Sequence, residues 1–131
     1  MTNWQDALFT PRRVAVVGAS ASAGKAGALF LRNLTAVEAG FAGEVVAIHP
    51  SAREILGCPA YPSLKTVPAR VDLAIIVTPP TAVPDIIADC GAAGVPVAIV
   101  ISFSPAVRRG ETLAPGSWRR KPARPVGRGW R

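Results

Sequence analysis

The sequence VAVVGASASAGKAG, residues 14–27, decides the fold of this chain. Four apolar residues, a length typical of a strand buried on both faces, run directly into a glycine-rich loop that contains one lysine. In a parallel α/β sheet such a loop presents backbone N–H groups to a phosphate, and Lys25 adds a positive charge. The spacing of Gly18, Gly24 and Gly27 differs from Gly-x-Gly-x-x-Gly, so the loop predicts a phosphate ligand without indicating NAD.

Length and composition limit the class of protein. The chain has 131 residues, of which 50% are hydrophobic, and this predicts one domain with a modest core. No stretch reaches the roughly 20 apolar residues of a membrane span, and residues 1–10 do not resemble a signal or transit peptide, so we expect a cytoplasmic protein. Cys58 and Cys90 share no CxxC motif, and the chain has a single histidine, so both cysteines are interpreted as buried small residues.

The net charge of +7 is concentrated at the end of the chain. Residues 104–131 hold eight basic residues and one acidic residue, whereas residues 1–103 are balanced. The terminal stretch is rich in Arg, Pro, Gly and Trp and has no apolar periodicity. We therefore expect a folded domain over residues 1–103 and a disordered basic tail over residues 104–131. Such a tail suits nucleic-acid binding, and a solvated extension without function is the alternative interpretation.

Apolar periodicity predicts alternating helices and strands within the first 103 residues. The predicted helices are residues 4–9, 25–39 and 81–93, and the predicted strands are residues 14–17, 45–48, 72–77 and 97–101. Ser51 predicts a helical turn through Ile55. Residues 57–63 are too rich in proline for regular structure, and a short helix is expected at residues 63–65. This order predicts an α/β domain with a doubly wound parallel sheet and right-handed crossovers.

Ligands of such sheets bind beyond the carboxyl ends of the strands. The segments there are the glycine loop, His49–Arg53, Thr78–Pro80 and Ser102. An NAD enzyme would place an acidic residue after the second strand, and Arg53 suits a phosphate on the ribose better, or else it faces solvent. His49 has no partner at metal or triad spacing and is interpreted as a structural residue.

Two alternatives stay open for the other segments. The glycine loop is either a phosphate cradle or a loop that is tight only for packing. Thr78-Pro79-Pro80 forms either a rigid exit where a flat ring or a pantetheine-like chain lies, or a turn that only begins the next helix.

Further motifs occur in a fixed order along residues 8–102. They are FxPRRVAVVGAS (residues 9–20), GKxG (24–27), LRNL (31–34), GFxG (40–43), HP (49–50), EILG (54–57), AYPSL (60–64), VDLAIIVTPP (71–80) and VPDII (83–87). Together they resemble the N-terminal CoA-binding domain of the NDP-forming acyl-CoA synthetases, which is related to the alpha subunit of succinyl-CoA synthetase. Standalone CoA-binding proteins and multidomain protein acetyltransferases carry similar domains. The resemblance implies a Rossmann-like domain that binds coenzyme A.

The resemblance also implies roles for individual residues. Ser20–Lys25 would contact the CoA phosphates, Pro50–Arg53 would lie near the adenosine 3′-phosphate, and Thr78–Pro80 would border the adenine or the pantetheine. The cofactor-binding candidates are Gly18, Ala19, Ser20, Ser22, Gly24, Lys25, Gly27, Pro50, Arg53, Thr78, Pro79 and Pro80.

The resemblance stops after Ile101-Ser102, where the family has a Gly-Phe-rich turn, a further helix and a further strand. The abrupt change of composition is what a GC-rich gene gives in another reading frame, so we expect a truncated or frameshifted fragment that lacks the last helix and strand. The family's phosphorylated histidine and ATP-grasp module lie beyond this domain. We therefore expect no activity from the chain alone and no catalytic or metal residues, and the expected partners are coenzyme A and a separate ATP-grasp or ligase subunit or domain.

Two other classes of function remain as alternatives. One is a fragment of an NAD(P)-binding oxidoreductase, although the acidic residue expected after Ile48 is missing. The other is nucleic-acid binding through residues 104–131, which predicts a steep salt dependence that vanishes when the tail is removed.

Overall fold

The computed structural model describes residues 3–22 and 24–102. The helices are α1 (Trp4–Phe9), α2 (Ala26–Thr35) and α3 (Val83–Ala93), and the strands are β1 (Arg13–Val17), β2 (Glu44–Ile48), β3 (Glu54–Ile55), β4 (Cys58–Tyr61), β5 (Leu73–Ile76) and β6 (Val97–Val100). Short 3-10 helices occupy Val37–Ala39, Leu64–Thr66 and Pro80–Ala82. The predicted basic tail, residues 104–131, lies outside the described residues.

The six strands form one sheet in the order β3-β4-β2-β1-β5-β6. All neighbouring strands are parallel except β3 and β4, which are antiparallel. The sheet starts at the central strand β1, β2 is added on one side through α2, and β5 and β6 are later added on the other side. This reversal of direction confirms the predicted doubly wound, Rossmann-like sheet.

Alternate side chains of β1 enter two different cores. Val16 packs with Leu31 of α2, whereas Ala15 and Val17 belong to a cluster that includes Cys90 of α3. All four residues from Val14 to Val17 are buried. Because helices cover both faces of the sheet, every residue of its central strand must be apolar, and this explains the continuous apolar run in the sequence.

Asp72 fixes the amino-terminal end of the sheet. Its Oδ2 accepts hydrogen bonds from the backbone N–H groups of Arg12 at 2.9 Å and Arg13 at 3.2 Å. The Arg13 guanidinium in turn pairs with Glu44 at the start of β2 and donates to the carbonyl oxygen of Arg70 at 2.8 Å. These bonds join β1 to the chain entering β5 and to β2, so they set the parallel register.

The second helix is shorter than its sequence predicts. We expected one helix over residues 25–39, whereas α2 ends at Thr35. Ala36 has an extended ψ of 131°, and the chain then makes a 3-10 turn that ends at Gly40 with a left-handed φ of 68°. Val37, which suggested a continuing apolar stripe, is 93% exposed and contributes nothing to the core.

The prediction for residues 51–63 is wrong. In place of a helical turn through Ile55 and an irregular proline-rich stretch, the chain forms a hairpin of β3 and β4, and β4 joins the sheet beside β2. Leu56 and Gly57 make the turn, both with positive φ. Pro59 is tolerated because the pairing with β2 begins only at Ala60, so its missing N–H removes no bond of that ladder.

The remaining elements agree with their predictions within two residues. Residues 63–65 were expected to be a short helix, and the 3-10 helix there is Leu64–Thr66, with Ser63 as its N-cap. Pro84 lies in the first turn of α3, where its missing N–H is tolerated. β6 is an edge of the described sheet, with Ile99 and Val100 partly exposed. Within residues 3–22 and 24–102, no helix is long and apolar enough to cross a membrane.

Candidate ligand site at the carboxyl ends of the strands

A cavity of about 380 Å³ lies at the carboxyl ends of β1, β2 and β5. This volume is at the lower end of the roughly 300–1,000 Å³ that is usual for ligand pockets. The wall is built from the glycine loop, the chain after β2, the segment between β4 and the next 3-10 helix, the segment after β5, and one face of α3. Its residues are Val17, Gly18, Ala19, Ser20, Lys25, Ile48, His49, Pro50, Pro62, Ser63, Leu64, Thr78, Ile86 and Asp89.

Packing explains two glycines of the loop. Gly18 has a φ of +89°, and a Cβ atom there would lie 2.8 Å from the carbonyl oxygen of Val77. A Cβ at Gly27 would overlap the carbonyl oxygen of Gly18. Gly24 differs, because its φ is not in the left-handed region and a Cβ would meet no atom within 4 Å among the described residues. Packing therefore requires glycine at positions 18 and 27. It does not explain the glycine at position 24.

The first turn of α2 faces the loop without a side-chain cap. Lys25 is the N-cap residue and makes no capping hydrogen bond, and the first turn holds no acidic residue. The backbone N–H groups at the start of this ten-residue helix, together with the helix dipole and the ammonium group of Lys25, favour an anion. The Ser20 hydroxyl accepts a hydrogen bond from the N–H of Ser22 at 3.0 Å, so it helps to shape the loop.

His49 and Pro50 form the wall after β2. The Nδ1 atom of His49 accepts hydrogen bonds from the backbone N–H groups of Ser51 at 3.2 Å and Ala52 at 3.0 Å. These two hydrogen bonds stabilise the turn that leads into β3. Arg53 is exposed and does not line the cavity, and its carbonyl oxygen accepts from the N–H of Ala60 at 2.9 Å within the β3–β4 hairpin.

Thr78, two residues after the end of β5, carries a buried polar atom without a partner among the described residues. Its Oγ1 is inaccessible to solvent and makes no hydrogen bond among the described residues. Its backbone carbonyl, in contrast, accepts from the hydroxyl of Ser102 at 2.9 Å. Leaving a buried hydroxyl unpartnered costs roughly 1–3 kcal/mol, so this hydroxyl would gain from a polar ligand group once rotation about χ1 turned it toward the cavity. Pro79 and Pro80 lie outside the wall and lead into a 3-10 helix.

The opposite wall includes residues that sequence reasoning missed. Asp89 of α3 pairs with Lys65 at 3.0 Å across the rim, and Ile86 lies one turn before it on the same helix. Pro62 to Leu64 reach the cavity because β4 is a strand of the sheet. The available signals were the capping-box spacing of Ser63 and Thr66 and the polar position of Asp89 on a largely apolar helix. Neither signal shows that these residues would line the cavity.

Half of the twelve predicted cofactor-binding residues line the cavity. They are Gly18, Ala19, Ser20, Lys25, Pro50 and Thr78. The other six, which do not line it, are Ser22, Gly24, Gly27, Arg53, Pro79 and Pro80.

A second cavity, of about 580 Å³, lies at the opposite end of the sheet. It is bounded by the end of α2, the segment around Phe41, the start of β2 and the β3–β4 turn. Its wall contains no charged residue. Although this cavity is larger, the smaller one combines a helix N-terminus, a lysine and the strand ends, and it is therefore the candidate site.

The cysteines lack the features of a nucleophile. Burial, with the carboxylate of Asp89 as a smaller cause, raises the pKa of the Cys90 thiol to about 11. Burial, with Glu54 as a smaller cause, also raises the pKa of Cys58. A raised pKa keeps both thiols protonated at neutral pH. Across the described ranges, no three His, Cys, Asp or Glu residues are grouped to hold a metal ion.

Comparison with known proteins gives consistent matches over this domain. Residues 12–113 match the family model described as a CoA binding domain. Over 95 residues the chain is 48% identical to acetate–CoA ligase [ADP-forming] I of Archaeoglobus fulgidus, covering 72% of this chain and 13% of that protein. It is 39% identical over 101 residues to the alpha subunit of acetate–CoA ligase [ADP-forming] I of Pyrococcus furiosus, covering 74% of this chain and 21% of the subunit.

Solved structures agree. The dinucleotide forming acetyl-coenzyme A synthetase 1 of Ca. Korarchaeum cryptofilum superposes with a TM-score of 0.71 and 44% identity, over 76% of this chain and 21% of that one. A conserved hypothetical protein of Pyrococcus furiosus superposes with a TM-score of 0.62 and 30% identity, over 76% of this chain and 84% of that one. The chain spans about a fifth or less of the length of these ligases. The sequence, the sheet order and these matches agree that the chain belongs to the CoA-binding domain family.

Proposed function

We propose that this domain binds coenzyme A in the cavity at the carboxyl ends of β1, β2 and β5. The observation that carries the proposal is that the glycine loop, Lys25 and the N-terminus of α2, which has no side-chain cap, meet in one cavity at the strand ends. A loop with Lys25 at a helix N-terminus suits the phosphates, and the buried hydroxyl of Thr78 suits a second polar group of the same ligand. Membership of the CoA-binding domain family identifies coenzyme A as the natural candidate.

The residues of this site have distinct expected roles. Ser20 to Lys25 and the first N–H groups of α2 hold the diphosphate, and Gly24 lets the ligand approach the backbone closely. The chain after β2 lies near the ribose and its 3′-phosphate. Thr78 contacts the ligand between these two regions. The cavity of about 380 Å³ holds part of coenzyme A, and the rest of the molecule extends along the surface.

We further propose that the domain works together with a ligase module. Relatives of this segment are five to eight times longer, and one of them is named as an alpha subunit, which implies at least one other subunit in that protein. The described residues offer no metal group, and their buried thiols are unsuited to nucleophilic chemistry. Because the ligase relatives contain much more than this segment, the role proposed for this domain is to hold coenzyme A while another module performs the acyl transfer.

Calorimetric titration of the full chain with coenzyme A tests the proposal. Lys25→Met should weaken binding by about tenfold, since a charge-assisted contact to phosphate is lost. Arg32→Met is the matched control, because Arg32 is an exposed cation on the same helix that does not line the cavity. Equal effects of the two substitutions would show that general charge, rather than this loop, attracts the ligand. Absence of binding by the folded wild-type chain would overturn the proposal.

A further inference from the structure

The ring of His49 is held in one tautomer by the backbone. Two N–H groups, from Ser51 and Ala52, donate to its Nδ1 at 3.2 and 3.0 Å. A nitrogen that accepts hydrogen bonds carries no proton, so the proton of the neutral ring resides on Nε2. His49 therefore presents a fixed N–H donor on the side of the ring opposite the turn.

The residue that carries this donor belongs to the wall of the candidate site. His49 lines the cavity, directly after the buried end of β2, and it is half-buried. Among residues 3–22 and 24–102, the hydrogen bonds of its side chain all involve Nδ1, and Nε2 has no acceptor. Nε2 of His49 and Oγ1 of Thr78 thus both lack a hydrogen-bond partner within the described structure, and of the two only Oγ1 is buried.

The chemistry of this donor favours an anionic oxygen. Dinucleotide-binding proteins place a carboxylate after the second strand, which accepts from the ribose hydroxyls. Here the group after the second strand is a hydrogen-bond donor, so it suits an acceptor on the ribose. The strongest acceptor that a ribose can carry is a phosphate ester. Arg53, the basic residue that the sequence suggested for this phosphate, is exposed and outside the cavity wall.

We propose that Nε2 of His49 donates a hydrogen bond to the ribose 3′-phosphate of the ligand and that His49, more than Arg53, sets the preference for a phosphorylated ribose. The inference rests on the proposed binding of coenzyme A in this cavity. His49 has no part in bond making or breaking here, and its role is recognition.

The substitution His49→Asn separates the two functions of the ring. An asparagine Oδ1 accepts from the N–H groups that follow it, so the turn after β2 keeps its acceptor, whereas the Nδ2 of the shorter side chain does not reach the position of Nε2. In calorimetric titrations of the full chain, His49→Asn should weaken coenzyme A by about tenfold and dephospho-CoA by less than about twofold. Arg53→Gln is the matched comparison and should weaken coenzyme A by less than about threefold.

The titrations distinguish a failure of the His49 assignment from a failure of coenzyme A binding. Unchanged affinity for coenzyme A in His49→Asn, when the wild type binds, overturns the role of His49 and leaves the proposed function intact. Equal losses for coenzyme A and dephospho-CoA show a contact elsewhere on the ligand and overturn the assignment to the 3′-phosphate. Failure of the wild-type chain to bind coenzyme A overturns the proposed function, and this inference falls with it.

NMR of the wild-type protein tests the same proposal without any substitution. His49 is the only histidine of the chain, so the ring nitrogens of the ¹⁵N-labelled, tag-free protein give one unambiguous set of NMR signals. The free protein should show the Nε2-protonated tautomer, and saturation with coenzyme A should shift Nε2 more than saturation with dephospho-CoA. A proton on Nδ1 in the free protein, or ring signals that do not respond to coenzyme A, would contradict the proposal.

Discussion

The carbonyl oxygen of Gly18 occupies the space where a side chain of Gly27 would begin. This contact seats the first turn of α2 directly on the end of β1, and it brings the N-terminus of the helix to the cavity. The two glycines therefore serve the fold and, through it, the position of the anion-binding loop.

Gly27→Ala should destabilise the protein although alanine is the better helix former. The new Cβ would meet the backbone of Gly18 and Ala19, which cannot rotate away, and the expected cost of about 3 kcal/mol exceeds the propensity gain of about 1 kcal/mol. Urea unfolding measures the loss. Gly24→Ala is the control, because its Cβ meets no described atom within 4 Å, and it should change stability by less than about 0.5 kcal/mol. Equal stability of the two variants would contradict the packing described here.

Thr78→Val should have opposite effects on stability and on binding. Without its ligand, the protein gains up to about 1 kcal/mol because a buried hydroxyl without a partner is replaced by a methyl group of similar shape. Affinity for coenzyme A should fall by about fivefold. Thermal unfolding and calorimetric titration measure the two effects. Thr78→Ser keeps the hydroxyl and should bind within about twofold of wild type; a Thr78→Val variant that binds equally well would remove Thr78 from the site.

Asp72→Ala should loosen the amino-terminal end of the sheet. The carboxylate, whose side chain is 14% exposed, accepts from the N–H groups of both Arg12 and Arg13, and its loss leaves these donors without their partner. We expect a loss of about 1–3 kcal/mol in the free energy of unfolding. Glu38→Ala, an exposed carboxylate on a 3-10 turn, should change it by less than about 0.5 kcal/mol. A similar small effect for Asp72→Ala would show that the strand register does not depend on this bond.

Stability should fall at alkaline pH through Cys90. In the folded protein the pKa of this thiol is about 11, above its ordinary value of 9.0, so the unfolded chain releases the proton first. The contribution of the thiol is fully present below pH 9 and is lost as pH rises toward 11. Urea midpoints at a series of pH values should therefore fall more steeply for wild type than for Cys90→Ala. Parallel curves for the two proteins would contradict the assignment.

The sequence predicts the central part of the fold well because its signals are local. The run from Val14 to Val17 and the glycine loop that follows are contiguous, and the sheet order follows from the alternation of strands and helices. The hairpin of β3 and β4 is different, since β4 has only two residues paired with β2 and contains Pro59. Its existence depends on contacts with a strand outside the segment, which local propensity cannot show.

Some residues of the candidate site can be predicted from the sequence, and others cannot. Lys25 and Thr78 are predictable because they lie in the segments that follow β1 and β5, and strand ends converge at one edge of a parallel sheet. Asp89 and Pro62 are not predictable, because they reach the cavity through the position of α3 and the path of β4. The unpartnered state of Thr78 Oγ1 and the tautomer of His49 depend on the atoms around them and require the structure.

Ligand-dependent thermal unfolding of the full chain is the most direct test of coenzyme A binding. Coenzyme A at about 100 times its dissociation constant should raise the free energy of unfolding by roughly 2.7 kcal/mol. At the same concentrations, dephospho-CoA and NADP should raise it by less, because one lacks the 3′-phosphate and the other does not fit the loop spacing. A cooperative unfolding transition that coenzyme A leaves unchanged, or that NADP shifts more than coenzyme A does, would contradict the account.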